Sequence, residues 1–253
     1  MSYQFMTTAD GSPTLEWQQS PDLVEKMHHS QGALSESLYI YLPVIQTVAE
    51  AGWPLKFMSL GLGLGYNEMI LAAWLKKQEL QGRPLSLQRL HSFESQDLLK
   101  DQLLLWLGLA PANLPASEGF SQAYDCIVQA LCRHFQLPAG LIQQTLVEWR
   151  QSDIWQLKGA YLPSQEPVAE PERYSGLFYD AFSSKMNPEL WSEEGLVESL
   201  QDLCEPNCVL ATYAAKGSLK RALRRLGFAV DLRPGFAGKR QCTLAIRSCQ
   251  PSG

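Results

Sequence analysis

The sequence lacks the features that mark several large classes of protein. No apolar run approaches the length of a membrane span, and the N-terminus has no basic segment followed by an apolar one, as a secretory signal would. The six cysteines form no C-x-x-C pair and no Cys-His cluster with zinc spacing. We therefore expect a cytoplasmic protein with buried thiols, no metal ion and no membrane contact.

The chain also lacks an excess of basic residues. Its formal net charge is −5 at pH 7, which argues against a protein that coats nucleic acid nonspecifically. A protein that binds a single RNA loop through a local basic patch is still compatible with this charge. Basic side chains are concentrated late in the chain, from Lys216 to Arg240. Alternatively, the run from Lys220 to Arg225 is simply the solvated face of a helix.

Three alternating glycines are the most informative feature that is present. Gly61, Gly63 and Gly65 follow the apolar run 56–60, which predicts a buried parallel strand, and they precede a predicted helix. Without Cβ atoms in this turn, a ligand can lie against the backbone and its amide groups. The pattern predicts a site for a nucleotide-like cofactor, and the alternative is a tight structural turn.

The spacing around these glycines excludes two nucleotide motifs. The dinucleotide fingerprint G-x-G-x-x-G would need glycine where Tyr66 stands, and no Gly-Lys-Ser/Thr follows for a phosphate-binding loop. Glu94, at the end of the predicted strand 85–93, also lies well beyond the distance of about 20 residues usual in dinucleotide sites. G-x-G-x-G followed by such an acid is instead typical of class I S-adenosylmethionine methyltransferases, in which the carboxylate binds the ribose hydroxyls.

The rest of the chain predicts an α/β protein with an N-terminal extension. Turn residues between short β-prone runs indicate a β-hairpin in the first 17 residues, and a helix is expected over 34–51. We assign these elements to an extension, residues 1–53. Residues 54–253 would form a methyltransferase domain with a helical insertion at about 98–142.

Acidic residues follow the predicted strands of this domain. Residues 145–149 are interpreted as a third strand with Asp153 just past it, and 176–179 as a fourth strand ending at Asp180. Ligands of open α/β sheets bind at the carboxyl ends of the strands, so Glu94, Asp153 and Asp180 are expected beside the glycine turn.

The last two predicted strands, 228–232 and 241–247, are joined too closely for a crossover helix and must be antiparallel. We therefore predict a Rossmann-like, mostly parallel seven-stranded sheet that ends in an antiparallel hairpin.

One segment carries a family resemblance. The stretch Asp-Ala-Phe-Ser-Ser-Lys-Met-Asn-Pro-Glu-Leu-Trp, residues 180–191, closely resembles a signature of the methyltransferase half of the bacterial bifunctional tRNA 5-methylaminomethyl-2-thiouridine biosynthesis proteins, and of its stand-alone relatives. Segments 32–39, 212–217 and 235–240 are also similar to that family.

The resemblance implies transfer of a methyl group from S-adenosylmethionine to the 5-aminomethyl group of a tRNA wobble uridine. It implies that Asp180 is the catalytic residue facing the acceptor amine, and that Asp153 meets the adenine amino group. The implied cofactor-binding residues are Gly61, Gly63, Gly65, Tyr66, Asn67, Glu68, Glu94 and Asp153. The implied acceptor-binding residues are Glu36, Phe182, Lys216, Lys239 and Arg240.

The sequence departs from the family pattern at three positions. Ser184 stands where proline is usual, Met186 where lysine or a polar residue is usual, and Ser152 where glycine precedes the aspartate. A related methyltransferase with another amine acceptor therefore stays an alternative, as does a cofactor-binding protein without turnover. The sequence leaves open whether a separate partner supplies an oxidoreductase half.

Overall fold

The computed structural model describes residues 2–20, 23–161, 172–180, 191–238 and 241–249. The helices are α1 (Ala33–Glu50), α2 (Tyr66–Leu80), α3 (Asp97–Trp106), α4 (Phe120–Phe135), α5 (Leu141–Gln151), α6 (Glu193–Leu203) and α7 (Gly217–Arg225). The strands are β1 (Ser2–Thr7), β2 (Pro13–Ser20), β3 (Leu23–Lys26), β4 (Lys56–Leu60), β5 (Arg89–Phe93), β6 (Trp155–Lys158), β7 (Tyr174–Tyr179), β8 (Cys204–Thr212), β9 (Ala229–Arg233) and β10 (Cys242–Arg247). Within the described ranges, no helix combines the length and apolar character needed to cross a membrane.

The main sheet has seven strands in the order β6-β5-β4-β7-β8-β10-β9. The first five strands in this order are parallel to one another, whereas β10 is antiparallel to both β8 and β9. The predicted fold class is thereby confirmed. The chain runs outward from β4 to β6 and then returns to the other side of β4 as β7. The order reverses between β4 and β7, which is where open α/β sheets bind ligands.

The centre of the main sheet has room for a glycine only. An added Cβ at Gly176 of β7 would lie 2.5 Å from Cε1 of Phe57 on β4 and 3.1 Å from Val44 on α1. The Phe57 ring stacks on Phe178 with centroids 5.6 Å apart. Helix α1 therefore packs tightly across the two strands that flank the reversal point.

A second, three-stranded antiparallel sheet is formed by β1, β2 and β3. The predicted hairpin corresponds to β1 and β2, and β3 adds a strand that was not predicted. Asp10 in the turn accepts bonds from the Thr8 hydroxyl (2.7 Å) and, through its other oxygen, from the amide of Ser35 at the start of α1 (3.0 Å). Burial raises the pKa of Asp10, but bonds from Ser12, Ser35 and Thr8 outweigh burial and lower its pKa to about 2.

The N-terminal sheet and the main sheet share one hydrophobic core. The core includes Leu15 of β2, Val44 of α1 and Phe57 of β4. The sheet is also joined to α4, because the Phe5 ring contacts the edge of Phe120 with centroids 5.0 Å apart. The division of the chain at residue 53 stays a prediction.

The predicted third strand was wrong. Residues 145–149 belong to α5, whose buried residues Ile142, Thr145, Leu146 and Trp149 follow helical spacing. The third strand from the reversal point is instead β6, which pairs in parallel with β5. Asp153 therefore precedes a strand rather than following one, and the predicted helical insertion extends through α5.

Candidate active site

The glycine-rich turn runs from the carboxyl end of β4 to α2, and it lies against the carboxyl end of β5. Gly61, Gly63 and Gly65 all have positive φ angles, at 93°, 53° and 71°. These left-handed conformations favour glycine and explain why three are needed. The Gly61 amide donates to the carbonyl of Phe93 (3.0 Å), which holds the turn against the end of β5.

Glu94 lies directly beside this turn. One of its carboxylate oxygens accepts a hydrogen bond from the Gly63 amide (3.1 Å), and the other accepts one from the Gln96 amide (2.9 Å). The side chain is oriented by both bonds and is buried. A carboxylate has about four acceptor positions. The Ser95 hydroxyl also donates to Oε1 (3.4 Å), so Oε2 retains a position for a ribose hydroxyl. The bare turn and this acid together fit an adenosyl cofactor without phosphate.

Tyr66 opens α2 but its hydroxyl is already engaged. It donates to the carbonyl of Pro13 in β2 (2.6 Å), and its ring is 4.9 Å from that of His28. The structure therefore places the Tyr66 side chain as a link to the N-terminal sheet. Its predicted contact with the cofactor could come only from the ring or the backbone.

Glu68 lies inside the protein below the glycine turn. Its side chain is 1% exposed, and Oε1 accepts a hydrogen bond from the Ser92 hydroxyl (2.6 Å). Ser92 in turn accepts a bond from Nε1 of Trp155 (2.9 Å). Burial is the main reason that the pKa of Glu68 is raised to about 7, and the charge of Glu94 adds to the shift. Glu68 is therefore a buried support for the turn, and its contact with the cofactor stays a prediction.

Asp180 lies at the point where the strand order reverses. Its amide donates to the carbonyl of Leu60 (2.9 Å), so the pairing of β7 with β4 continues one residue past the end of β7. This bond places the backbone of Asp180 next to the glycine turn. The sequence prediction that the acid and the glycines share one edge of the sheet agrees with this position.

The Asp180 carboxyl has an unusual environment for an acid. Burial raises its pKa to about 7, and the negative charges of Glu36 and Glu68 act in the same direction. Polar interactions with the Tyr41 hydroxyl and the Asn67 amide favour the charged form and partly oppose this rise. Asp180 is therefore a stronger base than an ordinary aspartate.

Glu36 brings a second acid to this site from α1. It is 4% exposed, and its Oε2 accepts a hydrogen bond from the amide of His29 (2.6 Å). Its charge acts on the carboxyl of Asp180. Glu36 and Asp180 are 144 residues apart in the numbering, yet the charge of one acts on the carboxyl of the other. We call these two residues the acidic pair.

The predicted position of Asp153 was wrong. Its side chain is 74% exposed and lies 3.9 Å from Nη1 of Arg89, the first residue of β5. Asp153 is therefore at the amino edge of the sheet, opposite the glycine turn, and cannot meet an adenine bound there. The carboxyl end of β6 is followed by Gly159, Ala160 and Tyr161, which carry no acid.

Several predicted acceptor-binding residues lie outside the described residues. These are Phe182, Lys239 and Arg240, and their roles stay predictions. Lys216 is described at the start of α7, where its Nζ is 5.5 Å from the ring centroid of Trp191. Its ammonium group therefore interacts with an aromatic face.

The basic face of α7 is partly neutralised. Arg221 Nε lies 2.5 Å and Arg225 Nη1 lies 3.4 Å from the carboxylate oxygens of Glu193 at the start of α6. Both ion pairs are largely solvent-exposed, so they contribute little to stability. They do account for part of the basic run without requiring a nucleic-acid partner.

Two tyrosines near Glu94 were not found from the sequence. Tyr3 of β1 and Tyr124 of α4 have buried hydroxyls that make no hydrogen bond within the described part of the chain. Burial raises the pKa of both phenols, and the charge of Glu94 adds to the rise. No motif marks them, because β1 and α4 meet only through tertiary packing.

Comparisons with known proteins agree with this site. Residues 140–248 match a family described as S-adenosyl-L-methionine-dependent methyltransferase. The chain is 28% identical over 253 residues to the tRNA 5-methylaminomethyl-2-thiouridine biosynthesis bifunctional protein MnmC of Magnetococcus marinus, with 95% of this chain and 34% of the relative covered. The protein of the same name from Aromatoleum aromaticum is 27% identical, with 92% and 34% covered. The chain thus spans about a third of the length of these relatives.

A solved structure shows the same fold. The crystal structure of MNMC2 from Aquifex aeolicus superimposes with a TM-score of 0.62 at 22% identity, covering 99% of this chain and 71% of that chain. The fold, the glycine turn and the family match define an S-adenosylmethionine-dependent methyltransferase, and the predicted cofactor is confirmed. Within this class, the chain is related to the methyltransferase domain of the MnmC proteins, which confirms the resemblance seen in residues 180–191.

Proposed function

We propose that the protein methylates the 5-aminomethyl group of a tRNA wobble uridine or 2-thiouridine, forming the 5-methylaminomethyl derivative. The observation that carries the proposal is the position of Asp180 beside the glycine turn, where the charge of Glu36 also acts on its carboxyl. The names of the relatives, which refer to 5-methylaminomethyl-2-thiouridine in tRNA, support this acceptor.

The acidic pair favours an acceptor that carries a positive charge. A primary alkylamine, with a pKa near the value of about 10 seen for lysine, is mostly an ammonium ion at neutral pH. Glu36 and Asp180 attract such a cation, and their mutual repulsion is relieved when it binds. A neutral hydroxyl acceptor would gain far less from two carboxylates.

Asp180 can then prepare the amine for methylation. The nitrogen must lose a proton to present a lone pair, and a carboxylate with a raised pKa accepts that proton more readily than an ordinary one. When bound, the cofactor supplies a methyl group on a sulfonium sulfur, which departs as a neutral thioether. Once this proton has passed from Asp180 to solvent, the carboxylate is charged again and stabilises the positive charge that develops on the nitrogen during methyl transfer. Tyr41 and Asn67 favour the charged form of this carboxyl.

The direct test is methylation of tRNA that carries unmethylated 5-aminomethyl groups. The purified full chain, the cofactor and this tRNA should yield nucleosides heavier by one methyl group in mass spectrometry. Asp180→Asn should abolish most of the product. Asp153→Asn, the same chemical change at the opposite edge of the sheet, should not.

The outcome that refutes this acceptor is also clear. If tRNA is not methylated but a free small amine is, the protein is a methyltransferase for another acceptor. If neither is methylated while the cofactor binds, the protein binds the cofactor without turnover.

A further inference from the structure

Three aromatic side chains form a partly exposed cluster next to the acidic pair. The Phe236 ring lies between His29 and Tyr39, with centroids 6.1 Å and 6.2 Å away. We call these three residues the aromatic shelf. All three are only half-buried, so an aromatic surface is open to a binding partner.

The shelf joins two distant parts of the chain. The Tyr39 hydroxyl donates to the carbonyl of Pro234 (2.8 Å), and the guanidinium of Arg233 lies 4.7 Å from the centroid of the Tyr39 ring. Phe236 belongs to the connection between β9 and β10, whose next residue, Ala237, has a φ of 49°. A non-glycine residue in this left-handed region is strained, and the surrounding contacts hold it there.

The shelf is contiguous with the site of methyl transfer. Tyr39 follows Glu36 by three residues on α1, so both side chains lie on one face of that helix. His29 is bonded to Glu36 through its amide. Its Nδ1 accepts a bond from the Gln31 amide (3.2 Å), so the neutral ring carries its proton on Nε2 and has a donor for a ligand.

We propose that the aromatic shelf stacks the wobble nucleobase of the acceptor RNA, with its 5-substituent directed at Asp180. Single-stranded bases turned out of a loop are commonly held on aromatic side chains. A small amine would need only the acidic pair, whereas a planar base needs an adjacent π surface of this kind. Arg233, whose guanidinium lies over the Tyr39 ring, adds a positive charge that suits the phosphates of the RNA backbone. The inference rests on the proposed function, because it takes an RNA base as the acceptor.

A short RNA hairpin with the anticodon loop and an unmodified wobble uridine tests the shelf without methyl transfer. Phe236→Ala should weaken hairpin binding by about 5- to 150-fold, as expected from loss of stacking on one base. Phe236→Tyr should bind nearly as well as the original protein. Trp53→Leu, which removes a half-buried aromatic residue just before β4 and so at the opposite edge of the sheet, should have no effect. Cofactor affinity should be unchanged in all three variants, and each should be fully folded at the assay temperature.

A hairpin without a base at the wobble position gives the decisive comparison. The original protein should bind this hairpin about as weakly as Phe236→Ala binds the complete hairpin. Phe236→Ala should bind the hairpin without the wobble base only slightly more weakly still, because each change removes the same stacking contact. Additive losses, or equal binding by Phe236→Ala and the original protein, would overturn the shelf as a base-stacking site. A different outcome separates the two proposals. If the losses from Phe236→Ala and from removal of the wobble base are not additive, but undermodified tRNA is not methylated, the shelf binds the base and the proposed acceptor is refuted.

Discussion

The buried carboxyl of Glu68 predicts an unusual dependence of stability on pH. In the folded protein its pKa is about 7, raised from the ordinary value of 4.5 mainly by burial. Between these two values the folded state retains a proton that the unfolded chain releases. The stabilisation linked to this proton is therefore complete below about pH 4.5, and it is lost as the pH rises through about 7.

The size of the effect follows from the shift in pKa. Each unit corresponds to about 1.4 kcal/mol, so ionisation of Glu68 costs at most about 3.5 kcal/mol of unfolding free energy above neutral pH. Glu68→Gln mimics the neutral acid and keeps an oxygen that can accept the Ser92 hydroxyl. The variant should match the original protein at about pH 5 and be more stable by about 1–3 kcal/mol at about pH 8.5.

Urea unfolding of both proteins at the two pH values measures this difference. Glu50→Gln on the exposed end of α1 is the matched control, because it removes the same charge without burial. It should change stability little and equally at both values. If the unfolding free energies of Glu68→Gln and the original protein differ by the same amount at both pH values, Glu68 does not hold a proton in the folded state and the prediction is wrong.

Three further predictions concern the site and the sheet that supports it. Asp180→Asn should lower the single-turnover rate of methyl transfer by orders of magnitude while cofactor affinity stays within about twofold, and the rise of the original rate through about pH 7 should disappear. Retained activity would make Asp180 a structural residue. Glu94→Gln should weaken cofactor binding in calorimetry by about 1.5–3 kcal/mol, because a charge-assisted bond is lost, and unchanged affinity would refute ribose binding by this acid. Gly176→Ala should lower the unfolding free energy by about 1–3 kcal/mol, because its Cβ would meet the Phe57 ring. Unchanged stability would show that α1 and β4 can move apart to accept the methyl group.

The parts of the site that sequence could predict are those with local patterns. The glycine turn combines an apolar strand, three glycines and a helix start within a few residues, so its conformation is largely a local property. Asp180 could be assigned because the short apolar run 176–179 precedes it directly. In both cases the structure agrees with the expected position at the carboxyl edge of the sheet.

The parts that failed depend on longer patterns or on packing. Residues 145–149 contain β-prone side chains, but the helical spacing of the buried residues becomes visible only over the whole of α5, from Leu141 to Gln151. Because of this error, Asp153 was predicted at the carboxyl edge of the sheet, whereas it lies at the amino edge. Tyr3 and Tyr124 lie in ordinary elements, and only the meeting of β1 with α4 brings their hydroxyls near Glu94.

The attachment of the N-terminal sheet has a consequence for how the molecule comes apart. Asp10 binds the start of α1, Pro13 binds Tyr66 of α2, and Phe5 packs on Phe120 of α4. Three small strands with these anchors and a shared core have no independent source of stability. They should open only together with the main sheet, in one cooperative event, so amide protons in β2 should resist exchange with solvent nearly as long as those in β4. The first strands are therefore part of the folding unit that forms the cofactor turn.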